Sequence, residues 1–173
     1  MNLIGANIFR FVGLILLQVF VVNQIDLGFL NPYISLAVYV SFLLTFSTKI
    51  SKYVTMLVAL LLGLSIDMFL NTEGIHASAC LFLALVRPYL LRRIQTANPL
   101  ENVQELTVYT EDIQKYALYS VLLLGAFFFW LFLIEEFSLL ALPLILVKTV
   151  SSTIFTALLI IIGQYLLYRK PKN

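Results

Sequence analysis

Charge is the scarcest resource in this sequence. Only 12% of its 173 residues are Asp, Glu, Lys or Arg, roughly half the share of a water-soluble domain, whose surface has to be solvated. With 61% hydrophobic residues and a mean hydropathy of +0.99, this surface has to face lipid. The net charge is +2, and the 11 basic residues form no dense stripe of the kind that neutralises a phosphate backbone. No nucleic-acid partner is expected.

Cysteine and histidine are nearly absent, with Cys80 and His76 the single examples of each. One cysteine permits neither an internal disulfide nor a cysteine-based metal site, and in its apolar run it reads as a small buried hydrophobe. One histidine excludes an H-E-x-x-H zinc helix. The chain also lacks a G-x-S-x-G elbow and a glycine-rich phosphate loop, because Gly63-Leu64-Ser65 is not followed by the rest of such a motif. No catalytic set, cofactor or metal is expected, and the one enzymatic alternative left open is intramembrane chemistry at Asp67 and His76. The apolar stretch after Arg10 is not followed by an A-x-A-like cleavage site, so it reads as a retained first span.

What the sequence does have is long hydrophobic runs. A helix needs about 20 apolar residues to cross about 30 Å of hydrocarbon, and six stretches approach that length: 8–22, 33–46, 53–69, 75–91, 116–134 and 147–168. Pro32 suits the first turn of the second, and the turn Asn71-Thr72-Glu73-Gly74 makes an antiparallel hairpin of the third and fourth. Residues 92–113 are the one long polar stretch, in which Asn98-Pro99 and Glu101 predict a short surface helix. The final apolar region, from Leu139 to Tyr168, is too long for one upright crossing, so it tilts or lays its first part, around Pro143, at the interface. The whole chain, 1–173, reads as a single transmembrane domain. Its fold class is an all-α polytopic membrane protein of about six helices.

Orientation follows from lysine and arginine, which hold short loops in the cytoplasm. Arg10, Lys49, Lys52, Arg87, Arg92, Arg93, Lys115, Arg169, Lys170 and Lys172 all fall at one side of a six-span scheme, with both termini inside. The opposite side carries Asp26, Asp67, Glu73, Glu135 and Glu136 and no basic residue. Lys148, in the last apolar region, is the exception: it lies deep in the span, or it snorkels outward if 139–146 lie along the interface.

Charges inside spans are costly and so are functional candidates. Asp67 and His76 flank the hairpin turn and are expected to tie it together or face a partner. Arg87, with Arg92 and Arg93, is expected to reach the inner headgroups. Helix pairs in lipid pack at small residues, which makes Gly63 with Ala59, and Ala77 with Ser78, candidates for the hairpin contact or for a partner surface.

At this hairpin the residues also carry a resemblance. Gly63-Leu64-Ser65-Ile66-Asp67, then Gly74-Ile75-His76-Ala77, followed by Arg87-Pro88, resembles the rod shape-determining protein MreD family, in a G-L-x-x-D pattern closing one span and a G-hydrophobic-H-A pattern opening the next. The resemblance implies a noncatalytic component of the cell-elongation machinery in the bacterial cytoplasmic (inner) membrane, supporting peptidoglycan synthesis and cell shape. It implies partnership with an MreC-like single-span scaffold and, indirectly, with MreB, RodA and a penicillin-binding transpeptidase. It also implies a fold resembling the substrate-binding subunits of energy-coupling-factor transporters. The alternative reading is itself such a small-molecule-binding subunit of a vitamin transporter, though the outer loops look too short to cap a ligand.

Overall fold

A computed structural model of the chain describes residues 3–26, 28–48, 50–94 and 113–167. The surface helix expected after Asn98-Pro99, Lys49 of the basic turn and the basic C-terminal end lie outside the described residues. The described residues form six α-helices: α1 (Leu3–Phe20), α2 (Ser41–Thr45), α3 (Lys52–Leu70), α4 (Ile75–Ile94), α5 (Ile113–Glu136) and α6 (Leu142–Leu167). Among the described residues, five of these, all but α2, are long and apolar enough to cross a membrane. The protein is an all-α multi-pass membrane protein.

The second expected span departs from expectation. Residues 34–37 adopt no regular structure, Val38–Val40 form a 3-10 turn, and α2 is only five residues long. This segment is not a lipid-facing helix but the centre of the core. Tyr39, Val40, Phe42, Leu43, Leu44, Thr45 and Phe46 are all buried, a run apolar on every side, as an element enclosed by protein must be. The Phe42 ring packs edge-on against Phe11 of α1, and the Tyr39 ring against Phe127 of α5.

Backbone that leaves the helix inside a membrane has to find its hydrogen bonds from protein, because lipid offers none. Here neighbouring side chains supply them. Gln18 of α1 donates to Leu36 O at 2.7 Å and accepts from Val38 N at 2.9 Å. On α6, Ser152 Oγ accepts from Ser35 N at 2.9 Å, Thr156 Oγ1 accepts from Ala37 N at 3.4 Å, and Ser151 Oγ donates to Tyr33 O at 2.7 Å. Two residues of the segment advance while α6 advances four, about 6 Å, which is nearly the full reach of two extended residues. The polar stripe on α6 is therefore a template for this segment.

The long helices pack as neighbours in chain order, α3 on α4, α4 on α5 and α5 on α6, with α1 closing against α3 and the central segment. Phe82 of α4 and Trp130 of α5 stack with centroids 4.4 Å apart. Helix α6 has 26 residues, about 39 Å at 1.5 Å per residue, and Pro143 sits in its first turn, where proline needs no partner for its missing N–H. The last apolar region thus opens with a 3-10 turn, Leu139–Ala141, and from Leu142 on, Pro143 included, is one continuous helix.

Candidate functional site

The α3/α4 hairpin begins with a close approach of backbones. A Cβ on Gly63 would sit 2.6 Å from Ala77 N and 2.7 Å from the His76 carbonyl oxygen, distances no side chain can accept. Ala59 and Ala77 are buried on the same contact, and Ser78 turns its hydroxyl back to Ile75 O at 2.8 Å. Gly63, Ala59 and Ala77 are therefore occupied inside the protein, and none of them offers a surface to a partner helix.

The turn that follows is shaped by residues that tolerate left-handed backbone. Asn71 has φ 54° and Gly74 φ 84°, conformations that asparagine and glycine adopt at least cost. Thr72 N–H closes the end of α3 on Asp67 O at 3.1 Å. The Asp67 side chain then reaches across the turn. Its Oδ1 accepts from Thr72 Oγ1 at 2.5 Å and from His76 N at 3.0 Å, and its Oδ2 accepts from Ala77 N at 2.9 Å. Helix α4 lacks a capping side chain from its own first turn, so Asp67, only 5% exposed, takes that role from the preceding helix. Its negative charge faces the positive end of the α4 dipole, which offsets the cost of burying it.

His76 carries the network into the core, where its Nδ1 shares a 2.9 Å hydrogen bond with Tyr39 Oη. The carboxylate, the imidazole and the central segment are thus linked in one chain of contacts. Tyr39 was not among the residues singled out by sequence; a tyrosine inside a hydrophobic run is a weak signal for a buried polar partner.

Eleven positions along α4 from His76, Asp67's partner at its head, lies a second polar contact. (His76 lies at the head, Arg87 toward the tail.) Arg87 is 4% exposed, so it does not extend to the headgroups in the manner expected of it. Its Nε donates to Tyr119 Oη of α5 at 2.9 Å and its Nη2 donates to the Phe46 carbonyl, while Tyr119 Oη donates to Leu44 O at 3.2 Å. Arg87 and Tyr119 thereby cap the carbonyl end of the central segment, which a helix of five residues leaves without partners. Arg10 of α1 adds a 2.6 Å contact to Thr45 Oγ1. Arg92 and Arg93, one turn on, are exposed.

A recess of about 280 Å³ opens beside Arg87, lined by Ser47, Thr48, Lys52, Thr55, Pro88 and Arg92 among others. At the far end of the molecule a second recess, about 320 Å³, is lined by residues including Asn23, Asn31 and Ser35. Its polar groups are engaged: Asn23 Oδ1 accepts from Gln18 and Asn31 Nδ2 donates to Asp26 Oδ1. Lys148 neither snorkels freely nor lies unpaired, since its Nζ meets Glu136 Oε1 at 2.5 Å and sits 5.6 Å from the Phe132 ring. Cys80 is buried in the core. Among the described residues no cluster of histidine, cysteine and carboxylate side chains is placed to hold a metal ion.

No protein-family model matches the chain, no curated protein matches it in sequence, and no solved structure matches it in fold.

Proposed function

We propose that this protein is a noncatalytic membrane component of a bacterial cell-elongation complex, of the MreD kind, and that it acts by binding the membrane helix of an MreC-like single-span scaffold. The observation that carries this reading is the state of the two residues on which the resemblance rests. Both oxygens of Asp67 accept hydrogen bonds from N–H and O–H donors, and the Nδ1 of His76 shares a hydrogen bond with Tyr39 Oη. Both groups are held in fixed places by the hairpin and the central segment, which supports a structural role for them over a general acid or base that has to approach a substrate.

In this reading the chain crosses the membrane six times, with both termini in the cytoplasm of a bacterial inner membrane. The central segment is the second crossing. Nearly extended chain over 33–37 contributes about 16 Å, and the eight helical residues that follow contribute about 12–16 Å. Their sum is close to the 30 Å of a hydrocarbon core. Arg10, Lys52, Arg87 and Arg92 then share the cytoplasmic side, in keeping with the positive-inside rule.

Because Gly63, Ala59 and Ala77 are internal, the partner surface has to lie on the outward faces of the long helices. The test is co-purification of the full chain with an MreC-like scaffold expressed beside it, in mild detergent. Recovery of the scaffold in a fixed ratio is the expected result. Failure to recover it, together with retention of a vitamin-like small molecule by the purified chain, transfers the protein to the transporter-subunit alternative, against which the engaged groups of the outer recess argue.

A further inference from the structure

We propose that the recess beside Arg87 is an anion site that takes the phosphate of an anionic lipid headgroup. Three observations meet there. Arg87 is a buried guanidinium whose two hydrogen-bond acceptors, Tyr119 Oη and the Phe46 carbonyl, are both neutral. Among the described residues Arg87, Lys52 and Arg92 make no ion pair, so no carboxylate of those residues balances the positive charge that lines the recess. A buried cation without a counter-ion is costly unless something neutralises it, and a guanidinium fork matches phosphate oxygens in geometry.

The remaining lining decides the kind of anion. Beside the basic groups the recess is lined by the hydroxyl residues Ser47, Thr48 and Thr55 and by the apolar residues Ile50, Ala84, Pro88 and Leu91. A free phosphate has no use for the apolar part of that lining. The glycerol and first acyl carbons of a phospholipid do, and basic recesses between membrane helices are where anionic headgroups bind. Lys52, the first residue of α3, lines the same recess at the positive end of that helix's dipole.

The experiment is native mass spectrometry of the full chain in detergent micelles, with phosphatidylglycerol, phosphatidylcholine or inorganic phosphate added in turn. Saturable retention of phosphatidylglycerol is expected, weakened roughly tenfold or more by the double substitution Lys52→Gln with Arg92→Gln and little changed by Arg93→Gln, which removes an exposed neighbouring charge outside the recess. Arg87→Gln is expected to abolish retention; since Arg87 also caps the central segment, the Lys52/Arg92 pair tests the site even if that variant does not fold. Inorganic phosphate binding with the same dependence on Lys52 and Arg92, in place of lipid, keeps the site and makes its source a soluble phosphate. Equal retention of phosphatidylcholine, an equal loss on Arg93→Gln, or no retention of either anion overturns the proposal.

Discussion

At its Ile75 end helix α4 works with a buried anion, Asp67, whose two oxygens both accept hydrogen bonds; at its Arg87 end it holds a buried cation with neutral partners and a recess beside it. Both ends grip the same central segment, one through His76 and Tyr39, the other through the Phe46 carbonyl. The difference teaches which end is structural and which is open to a ligand. A charge completely satisfied by its own chain stabilises the fold and has nothing left to offer. A charge satisfied only by neutral groups still attracts an anion. Perturbing the two ends should therefore give different classes of defect, one in stability and one in binding.

The largest expected effect lies at the closed end, where backbones touch. Gly63→Ala places a methyl group against the backbone of Ala77 and His76, and neither can yield without moving α4. The cost should reach or exceed the upper end of overpacking penalties, about 3 kcal/mol, and Gly63→Leu should leave no folded protein. Gly13→Ala, on α1, meets nothing within 4 Å and serves as the matched neutral change. Thermal unfolding in detergent followed by circular dichroism reads both. Equal melting temperatures for the two variants would show that the hairpin is looser than the close approach requires.

Next comes the direct contrast of the two charges. Asp67→Asn puts an NH2 group where an oxygen accepts from backbone donors, stranding buried N–H groups at about 1–3 kcal/mol and removing the dipole interaction. Arg87→Met keeps an apolar stem of similar length and gives up two hydrogen bonds to neutral acceptors, so about 1–2 kcal/mol is expected. Asp67→Asn should thus lower stability more while leaving phosphatidylglycerol retention intact. Arg87→Met should do the reverse. If Arg87→Met proves the more destabilising and retention is untouched, the contrast between the ends fails.

How much of this the sequence disclosed depends on which solvent each residue faces. The α3/α4 hairpin was legible almost to the residue, because Asn71 and Gly74 are turn residues whatever surrounds them and Lys52 bounds an apolar run. The central segment was not. A run such as Phe42-Leu43-Leu44 looks the same whether it faces lipid or protein, and its departure from helix is made possible only by Gln18, Ser152 and Thr156 from distant parts of the chain. Small residues were ambiguous for the same reason: Gly63 and Ala77 mark a close helix contact, and sequence spacing does not say whether the other helix belongs to the same chain. Arg87 was visible as a charge in a span, but its turn inward depends on Tyr119, 32 residues away.

A smaller effect isolates the link between hairpin and central segment. Tyr39→Phe removes the hydroxyl from His76 Nδ1 and keeps the ring packed on Phe127, so the net loss should be about 0.5–1.5 kcal/mol. Combined with His76→Ala in a double-mutant cycle, the two changes should be clearly non-additive, because they remove the same contact. Additive losses in the unfolding midpoints would mean that the hairpin and the segment are held together by packing alone.

The smallest effect belongs to a contact outside both ends of α4, the Lys148–Glu136 pair that joins α5 to α6. The two groups lie 2.5 Å apart with side chains 14% and 27% exposed, and Phe132 adds a ring face to the ammonium. Pairs open to water contribute about 0.2–1 kcal/mol, and this one sits beside the polar turn rather than at the centre of the bundle. Removing Glu136 alone should cost more than removing both partners, since Lys148→Met with Glu136→Gln strands no charge whereas Glu136→Gln leaves an ammonium six residues inside α6. Unfolding of the two single variants and the double variant in the same detergent gives the coupling directly. A coupling above about 2 kcal/mol would place the pair in a dry environment and would require the hydrocarbon boundary to lie beyond Glu136, lengthening the stretch of α5 and α6 that the lipid has to cover.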